Sequence, residues 1–180
     1  DKKGYIWVGT ELGLSKLDPR FRTFKRIEHN EKYDLKNVEK IIEDENGNIW
    51  IQCSGGIFRY IISEDKILCI SCGDFNEITS FSKIFGTQSN NVIISSFSDI
   101  FKYDAGKDSL FSLMKENYRE NIDLSFITDI VEIDDNIWIA SREGLVKVSN
   151  DVTTNPVLFK FNPHENSIVN DDIRDIDYDS

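Results

Sequence analysis

The fold is decided by the stretch Ile41-Ile42-Glu43-Asp44-Glu45-Asn46-Gly47-Asn48-Ile49-Trp50-Ile51, because its last four residues recur along the chain. The pattern returns around Trp7 and Trp138, and a degenerate copy without tryptophan surrounds Ile93. The four anchors are 43, 43 and 45 residues apart. A period of this length indicates a repeat protein, in which each repeat forms one supersecondary unit.

The positions that follow each anchor keep the same phase. Small residues come three positions later, namely Thr10, Cys53, Ser96 and Ser141. Glycine or aspartate comes six positions later, as Gly13, Gly56, Asp99 and Gly144. Apolar residues come seven and ten positions later: Leu14, Ile57, Ile100 and Leu145, then Leu17, Tyr60, Tyr103 and Val148. Agreement in so many columns establishes four repeats, of which the third is the most divergent.

Each repeat is interpreted as four short strands, A to D. Strand A precedes the anchor, strand B holds it, strand C follows a glycine-containing turn, and strand D is an alternating segment such as Lys66 to Ile70. Asn46-Gly47 predicts a two-residue hairpin turn between strands A and B, because that pair tolerates the positive φ angles such a turn requires. Four strands in about 40 to 50 residues are typical of a β-propeller blade.

The sequence therefore predicts an all-β segment of four four-stranded blades, part of a propeller of about seven blades. The predicted repeat units are about 1–36, 37–77, 78–125 and 126–171, with 172–180 as the first strand of a further blade. That last strand could complete the first blade of a closed four-bladed ring, or pair with a neighbouring blade or chain. Because the chain starts inside the repeat pattern, we expect it to be part of a longer polypeptide.

Composition supports the same fold class and excludes some functions. The chain has 25 Ile, 12 Phe and 9 Val against 10 Leu, 2 Ala and 1 Met, and branched and aromatic side chains favour strands. Its net charge of −11 argues against binding to nucleic acid or to an anionic membrane, but not against a neutral ligand such as a sugar. The large rings of Trp7, Trp50 and Trp138 are expected to wedge between neighbouring blades as structural anchors.

Three segments resemble the two-component regulator propeller repeat. They are Gly-Tyr-Ile-Trp-Val-Gly-Thr-Glu-Leu-Gly-Leu-Ser-Lys-Leu-Asp at 4–18, the quoted stretch at 41–51, and Phe-Asn-Pro-His-Glu-Asn-Ser-Ile at 161–168 leading into 172–176. The resemblance covers nearly the whole chain and is poor only in the third repeat. It implies the periplasmic sensor region of a hybrid two-component receptor, as in the sensor histidine kinases of Bacteroides.

The resemblance also implies a non-catalytic module that recognises an oligosaccharide, with the remaining blades of the receptor as partners and with homodimerisation as a further expectation. Two alternatives stay open. One is a scaffold or dimerisation propeller without a ligand, and the other is a carbohydrate-active propeller enzyme such as a lyase. No cofactor is expected.

Ligand contacts are expected from the loops that join D to A and B to C, because these share one face of a propeller. The candidates are Tyr118 and Arg119 in the loop from Lys115 to Ser125, Arg142 in a B–C turn and His164 in a D–A passage. Aromatic faces stack on sugars and arginine donates paired hydrogen bonds. His29 is a weaker candidate.

Catalytic and metal-binding patterns are weak. No nucleophile elbow, zincin helix or phosphate loop is present, and the 32 acidic residues show no pair set apart from the repeat pattern. The segment Asp44 to Asn48 fits a turn better than a calcium loop, because an EF-hand places its glycine later and closes with glutamate at position twelve. Asp134-Asp135 and Asp171-Asp172 are interpreted as solvated turn residues, with fortuitous cation binding as the alternative.

The three cysteines give an odd number, so they cannot all be paired. Cys69 and Cys72 have the spacing of half a zinc site or of a redox pair, but a second pair of ligands is missing. We interpret Cys53, Cys69 and Cys72 as small apolar side chains near strand ends.

Overall fold

The structure is a computed structural model that describes residues 1–27, 34–72, 81–96, 99–114, 122–124, 126–150 and 154–179. These residues form fifteen β-strands, and no helix occurs among them. The prediction of an all-β fold is therefore confirmed. The chain divides into two compact units, Asp1–Gly86 and Thr87–Ser180.

The strands form four antiparallel sheets, each in chain order. The first sheet contains β1 (Ile6–Thr10), β2 (Gly13–Asp18) and β3 (Thr23–Arg26). The second contains β4 (Lys40–Glu43), β5 (Ile49–Cys53), β6 (Gly56–Ile61) and β7 (Lys66–Cys72). The third contains β8 (Phe81–Gly86), β9 (Val92–Ser96), β10 (Ile100–Asp104) and β11 (Ser109–Ser112). The fourth contains β12 (Ile127–Ile133), β13 (Asn136–Ser141), β14 (Gly144–Ser149) and β15 (Val157–Phe159).

In the second, third and fourth sheets the anchor lies on the second of four strands, as the sequence predicts, and in the first sheet Trp7 lies on β1. The meander order of β4 to β7 and of β12 to β15 is that of propeller blades. The fold is a β-propeller segment. The first sheet differs from the other three, because among the described residues it contains three strands.

The glycine column six residues after each tryptophan has a conformational cause. Gly13, Gly56 and Gly144 close the B–C hairpins with φ angles of 131°, 122° and 126°, which side chains rarely tolerate. Asp99 takes this place in the third repeat, where its Oδ1 accepts hydrogen bonds from the Ile100 amide at 2.8 Å and the Ser112 hydroxyl at 2.9 Å.

The A–B turn of the second sheet corrects one prediction. β4 and β5 pair from Glu43 opposite Ile49, so the loop is longer than two residues, and only Gly47 in it has positive φ. The Asp44 carboxylate explains the extra length. It accepts hydrogen bonds from the Asn48 amide at 2.8 Å and from the Trp50 indole at 3.0 Å, and the side chain is buried.

In the first unit, the second sheet packs against the first through an apolar core. Ile49, Ile51 and Tyr60 lie on the face of the second sheet that contributes to this core, and Trp7 meets the Tyr60 ring edge-on at 5.5 Å. Gly9 allows the close approach, since a Cβ there would lie 2.8 Å from the Cβ of Val38.

The opposite face of the second sheet carries Trp50, which is completely buried. β8 packs along β4, β5 and β6, and a Cβ on Gly86 would lie 2.9 Å from Ile42, the residue opposite Trp50 in the ladder. The amide of Ile84 also donates to the Gln52 side chain at 3.0 Å. Trp50 is therefore enclosed between strands.

The second unit contains a partly buried polar cluster centred on Glu132. Its carboxylate accepts hydrogen bonds from Thr87 at 2.7 Å, from Asn91 at 2.9 Å and from Asn150 at 2.7 Å. Lys102 lies 3.3 Å away, and the two charged side chains are only 15% and 7% exposed. Glu132 sits six residues before Trp138, the place that Asp44 holds relative to Trp50.

The described residues 172–179 form no strand, and the assignment of 172–180 to the first strand of a further blade stays a prediction. The Ile173 amide does bond to the carbonyl of Ser141 at 3.0 Å, and the Ile173 carbonyl accepts from Thr128 at 2.9 Å. A strand also needs a ladder of hydrogen bonds along its length, and no described strand pairs with the residues beyond Ile173.

The cysteines are only partly as predicted. Cys53 is a free, buried thiol, and burial raises its pKa. Cys69, on β7, is disulfide-bonded, so its interpretation as a simple apolar filler is wrong. Residue counting could not reveal this pairing, because an odd number of cysteines is compatible with one bond and one free thiol.

Candidate functional site

The B–C turn of the fourth sheet holds Arg142 in a fixed place. Ser141 donates its hydroxyl to the Gly144 carbonyl at 2.9 Å and accepts from the Glu143 amide at 3.1 Å. The Arg142 amide donates to the carbonyl of Phe126, just before β12, at 3.3 Å. These bonds connect the turn to the end of a D–A passage, so they hold in place the backbone from which the Arg142 side chain extends.

An aromatic ring, two arginines and a carboxylate meet there. The Arg142 guanidinium lies 5.5 Å from the centre of the Phe126 ring, and its Nε is 3.9 Å from Oδ1 of Asp172. Arg174 pairs with Oδ2 of the same carboxylate at 2.7 Å. We call Phe126, Arg142, Asp172 and Arg174 the Arg142 patch.

The Arg142 patch offers chemistry suited to a polyhydroxylated ligand. Phe126 is 54% exposed and the Arg142 side chain 52% exposed, so an apolar ring face and hydrogen-bond donors are both accessible. Oδ1 of Asp172 is shielded from solvent and accepts no hydrogen bond from the described atoms. The exposed Arg142 side chain could therefore donate to ligand hydroxyls while a sugar ring stacks on Phe126.

Of the four predicted ligand contacts, the structure places two. Arg142 lies in the B–C turn as predicted, and His164 is exposed in the passage after β15, where its amide donates to the Asn162 side chain at 3.0 Å. The contacts of Arg142 and those of His164 involve different segments, and none of them joins the two residues. Tyr118 and Arg119 lie outside the described residues, as does His29, and they remain predictions.

Sequence reasoning missed three members of the patch. Phe126 and Arg174 had no role assigned, and Asp172 was interpreted as a solvated turn residue. The sequence contains one signal for Phe126, because it is an aromatic residue directly before a strand. The structure shows that Phe126 is exposed, whereas Ile127, the first residue of that strand, is buried. Asp172 and Arg174 had no comparable sequence signal. They lie near the Arg142 turn because the Ile173 amide between them bonds to the Ser141 carbonyl.

A second concave feature lies on one face of the fourth sheet. It is a cavity of about 500 Å³ with Trp138 and Phe159 in its wall, and their rings stack at 5.6 Å. Polar residues of the following passage complete the wall, namely Lys160, Glu165, Asn166 and Ser167. Its volume is within the range of small-molecule pockets.

Acid–base chemistry has one candidate on the fourth sheet. Burial raises the pKa of Asp129 on β12, and hydrogen bonding with the Asp175 carboxyl raises it further. Across the part of the chain that the structure describes, no group of three His, Cys, Asp or Glu side chains is placed to hold a metal ion. Asp134 and Asp135 form the exposed turn between β12 and β13.

Comparison with solved structures shows the class of fold. The extracellular domain assigned to the hybrid two-component system BT4673 of B. thetaiotaomicron matches with a TM-score of 0.68 and 13% identity, over 88% of this chain and 22% of that one. The corresponding domain of BT3049, from the same organism, matches with a TM-score of 0.63 and 17% identity, over 98% and 23%. The predicted resemblance to these sensor regions is confirmed as a structural likeness.

A third similar structure belongs to an enzyme. Virginiamycin B lyase from Staphylococcus aureus matches with a TM-score of 0.62 and 12% identity, over 91% of this chain and 54% of the lyase. The chain spans about a fifth of the two-component domains and about half of the lyase. At these identities the likeness shows the fold alone.

No family model matches the sequence, and no curated protein matches it either. Within the described residues there is no helix of the length and hydropathy needed to cross a bilayer.

Proposed function

We propose that the chain is the extracytoplasmic ligand-binding part of a two-component receptor, that it recognises an oligosaccharide at the Arg142 patch, and that it is not itself catalytic. The likeness to extracellular domains of Bacteroides two-component systems supports the receptor assignment. The observation that carries the ligand assignment is the meeting of Phe126, Arg142 and Asp172 at the end of the fourth sheet.

A neutral sugar fits the charge of the whole chain better than an acidic one. The whole chain carries a net charge of −11, which repels polyanions over long distances. Within the Arg142 patch, Asp172 is close to both arginines and compensates one of their two positive charges. Stacking on Phe126 and hydrogen bonds to hydroxyls then provide the affinity, rather than net charge.

The function is tested by screening the wild-type chain on a glycan array and incubating each bound glycan with the protein. We expect binding of a defined set of neutral oligosaccharides, recovered with unchanged mass. Binding should decrease at least about tenfold in a Phe126→Ala/Arg142→Ala variant, because a stacking surface and a charged donor are lost together. A Phe21→Ala/Arg22→Ala variant removes the same two residue types from the exposed β2–β3 turn and should bind like wild type.

A lyase is the second candidate, because virginiamycin B lyase shares the fold and because Asp129 has the raised pKa of a proton-sharing carboxyl. Release of a cleaved, unsaturated product from a bound glycan, abolished by Asp129→Asn, would replace the binding function with this one. Binding to no glycan at all would instead favour a scaffold.

The disulfide at Cys69 supports an extracytoplasmic location, since structural disulfides persist in oxidising compartments. We expect Cys69 of the protein isolated from its native compartment to resist alkylation in denaturant until a reductant is added. Cys53 should react in denaturant alone, because only burial protects it. Peptide mass spectrometry distinguishes the two, and alkylation of Cys69 without reductant would contradict the proposed location.

A further inference from the structure

A cationic side chain lies opposite the anchor residue in each of the four sheets. It comes nine positions after the anchor, as Lys16, Arg59, Lys102 and Lys147. Each of these residues is the direct ladder partner of its anchor, and three of them lie 5.4 to 5.6 Å from the centre of the tryptophan ring. The repeat therefore places one positive charge beside each anchor.

The third sheet shows how such a charge is compensated. Lys102 pairs with Glu132 at 3.3 Å, and Glu132 comes six residues before the next anchor. The equivalent residue for Lys16 is Asp44, but its buried carboxylate accepts from the Trp50 indole at 3.0 Å instead. Among the described residues, Lys16 contacts aromatic rings and forms no ion pair. Its charge lacks the compensation that Lys102 has.

Two other carboxylates near Lys16 are already occupied. Asp18 accepts hydrogen bonds from Nε and Nη2 of Arg20, at 3.0 and 2.8 Å. Both oxygens of Asp65, on the second sheet, accept from the Lys25 ammonium at 2.7 Å. Lys16 acts on Asp65 only through space. Three cations thus meet two carboxylates here, and the positive charge that stays unpaired is that of Lys16.

A groove on the first sheet, which we call the Lys16 groove, gives a ligand access to this charge. Its volume is about 230 Å³, and it is lined by Tyr5, Lys16, Asp18, Thr23, Phe24 and Lys25. The Lys16 ammonium lies 3.6 Å from the centre of the Tyr5 ring, and this contact holds it in place. The exposed Thr23 adds a hydroxyl donor. Pockets for drug-sized ligands begin at about 300 Å³, so this groove suits a small ion or a single sugar ring.

The sequence around the groove is basic, although the whole chain is acidic. Residues 1–27 contain seven lysine and arginine residues against three acidic residues, whereas the whole chain has 21 against 32. A local excess of cations raises the local concentration of anions. An anion is therefore attracted to the first sheet more than to the rest of the chain.

We propose that the Lys16 groove binds a small oxyanion whose charge is compensated by Lys16. The oxygens of the anion also accept hydrogen bonds from the Thr23 hydroxyl and from the ammonium hydrogen of Lys25 that Asp65 leaves free. Inorganic sulfate, inorganic phosphate and the carboxylate of an acidic sugar share this chemistry. The inference does not depend on the ligand proposed for the Arg142 patch.

The test is a titration of the full 180-residue chain with sulfate, phosphate, glucuronate or glucose, followed by amide NMR shifts at an ionic strength kept constant with chloride. At least one of the three anions should cause saturable shifts at residues that line the Lys16 groove, and glucose should cause none there. Preference for sulfate or phosphate would identify an inorganic ion, and preference for glucuronate would identify an acidic sugar; both results support the site.

Variants with equal changes in net charge make the test specific. Lys16→Gln should weaken anion binding at least about tenfold, because a hydrogen bond to a charged group is lost, whereas Lys16→Arg should keep most of the affinity. Lys147→Gln should bind like wild type, because Lys147 has the same place beside its tryptophan but does not line the groove. Circular dichroism checks that each variant is folded.

Three results would overturn the proposal. The first is the absence of saturable shifts with all three anions. The second is equal anion affinity of Lys16→Gln and wild type, which would place the anion elsewhere. The third is an equal loss of affinity in Lys16→Gln and Lys147→Gln, which would reduce the effect to the net charge of the chain.

Discussion

Replacing Trp50 with alanine is expected to lower the free energy of unfolding by about 3 to 5 kcal/mol. Trp50 is completely buried on the face of the second sheet that β8 covers, so truncation removes a large contact surface and leaves a cavity. Its indole also donates to the buried Asp44 carboxylate at 3.0 Å, and this bond is lost as well. Urea titration followed by circular dichroism measures the change.

Trp50→Phe separates the two contributions. It keeps most of the apolar ring but leaves one Asp44 oxygen without its indole donor, so we expect a loss of about 1 to 3 kcal/mol. Phe21→Ala, at an exposed turn position, should change stability by less than about 0.5 kcal/mol. A loss below about 1 kcal/mol for Trp50→Ala would contradict the role of the tryptophan column as the anchor of the blades.

Replacing Glu132 with alanine is the second large effect. Glu132 and Lys102 are both partly buried, and removal of the carboxylate leaves the Lys102 ammonium without its counter-charge and three polar side chains without their acceptor. We expect a loss of about 1.5 to 3 kcal/mol, the range for a hydrogen-bonded charged group that is lost from its partners. Glu132→Gln retains one acceptor oxygen and should cost less than Glu132→Ala. Equal stability of Glu132→Ala and wild type in urea would contradict the stabilising role of this cluster.

The same cluster predicts a dependence of stability on pH. Burial alone would raise the pKa of Glu132, but hydrogen bonds from Asn91, Thr87 and Asn150 and the charge of Lys102 outweigh it, so the pKa lies below the ordinary value of 4.5. The stabilisation is therefore fully present above pH 4.5 and is lost as the pH falls through the lowered pKa of the folded state. The difference in unfolding free energy between wild type and Glu132→Gln should shrink below pH 4.5; a difference independent of pH would contradict it.

Most of the fold could be predicted from the sequence because propeller repeats are held together by local pairing. The anchor tryptophans mark the second strand, and the glycines that follow them mark hairpins that need positive φ, as at Gly56. Strand C and strand D then follow at fixed distances from the anchor. Each of these features is set by residues close together in sequence.

Other features have no local signal. The C–D turns place Arg22, Asp65 and Asp108 at φ angles of 51° to 54° without any glycine. The bond between the Trp50 indole and Asp44 was missed, although the spacing of six residues recurs at Asp1 and Trp7, where the same bond is 2.8 Å. The sequence pattern suggested that Asp44 belonged to a turn, but not that its carboxylate was buried.

The candidate site was only half predictable for a related reason. Arg142 could be placed in a B–C turn, since turns follow directly from the repeat. Its neighbours Phe126 and Asp172 come from two different D–A passages, and these join the turn only after the sheet has formed and Ile173 has bonded to Ser141.

The central claim, that the end of the fourth sheet binds an oligosaccharide, is tested most directly by isothermal titration of one array-selected glycan. Wild type should bind at a single site, Phe21→Ala/Arg22→Ala should keep that affinity, and Phe126→Ala/Arg142→Ala should lose at least about tenfold, or 1.4 kcal/mol. Equal affinity of the patch variant and wild type would contradict the account.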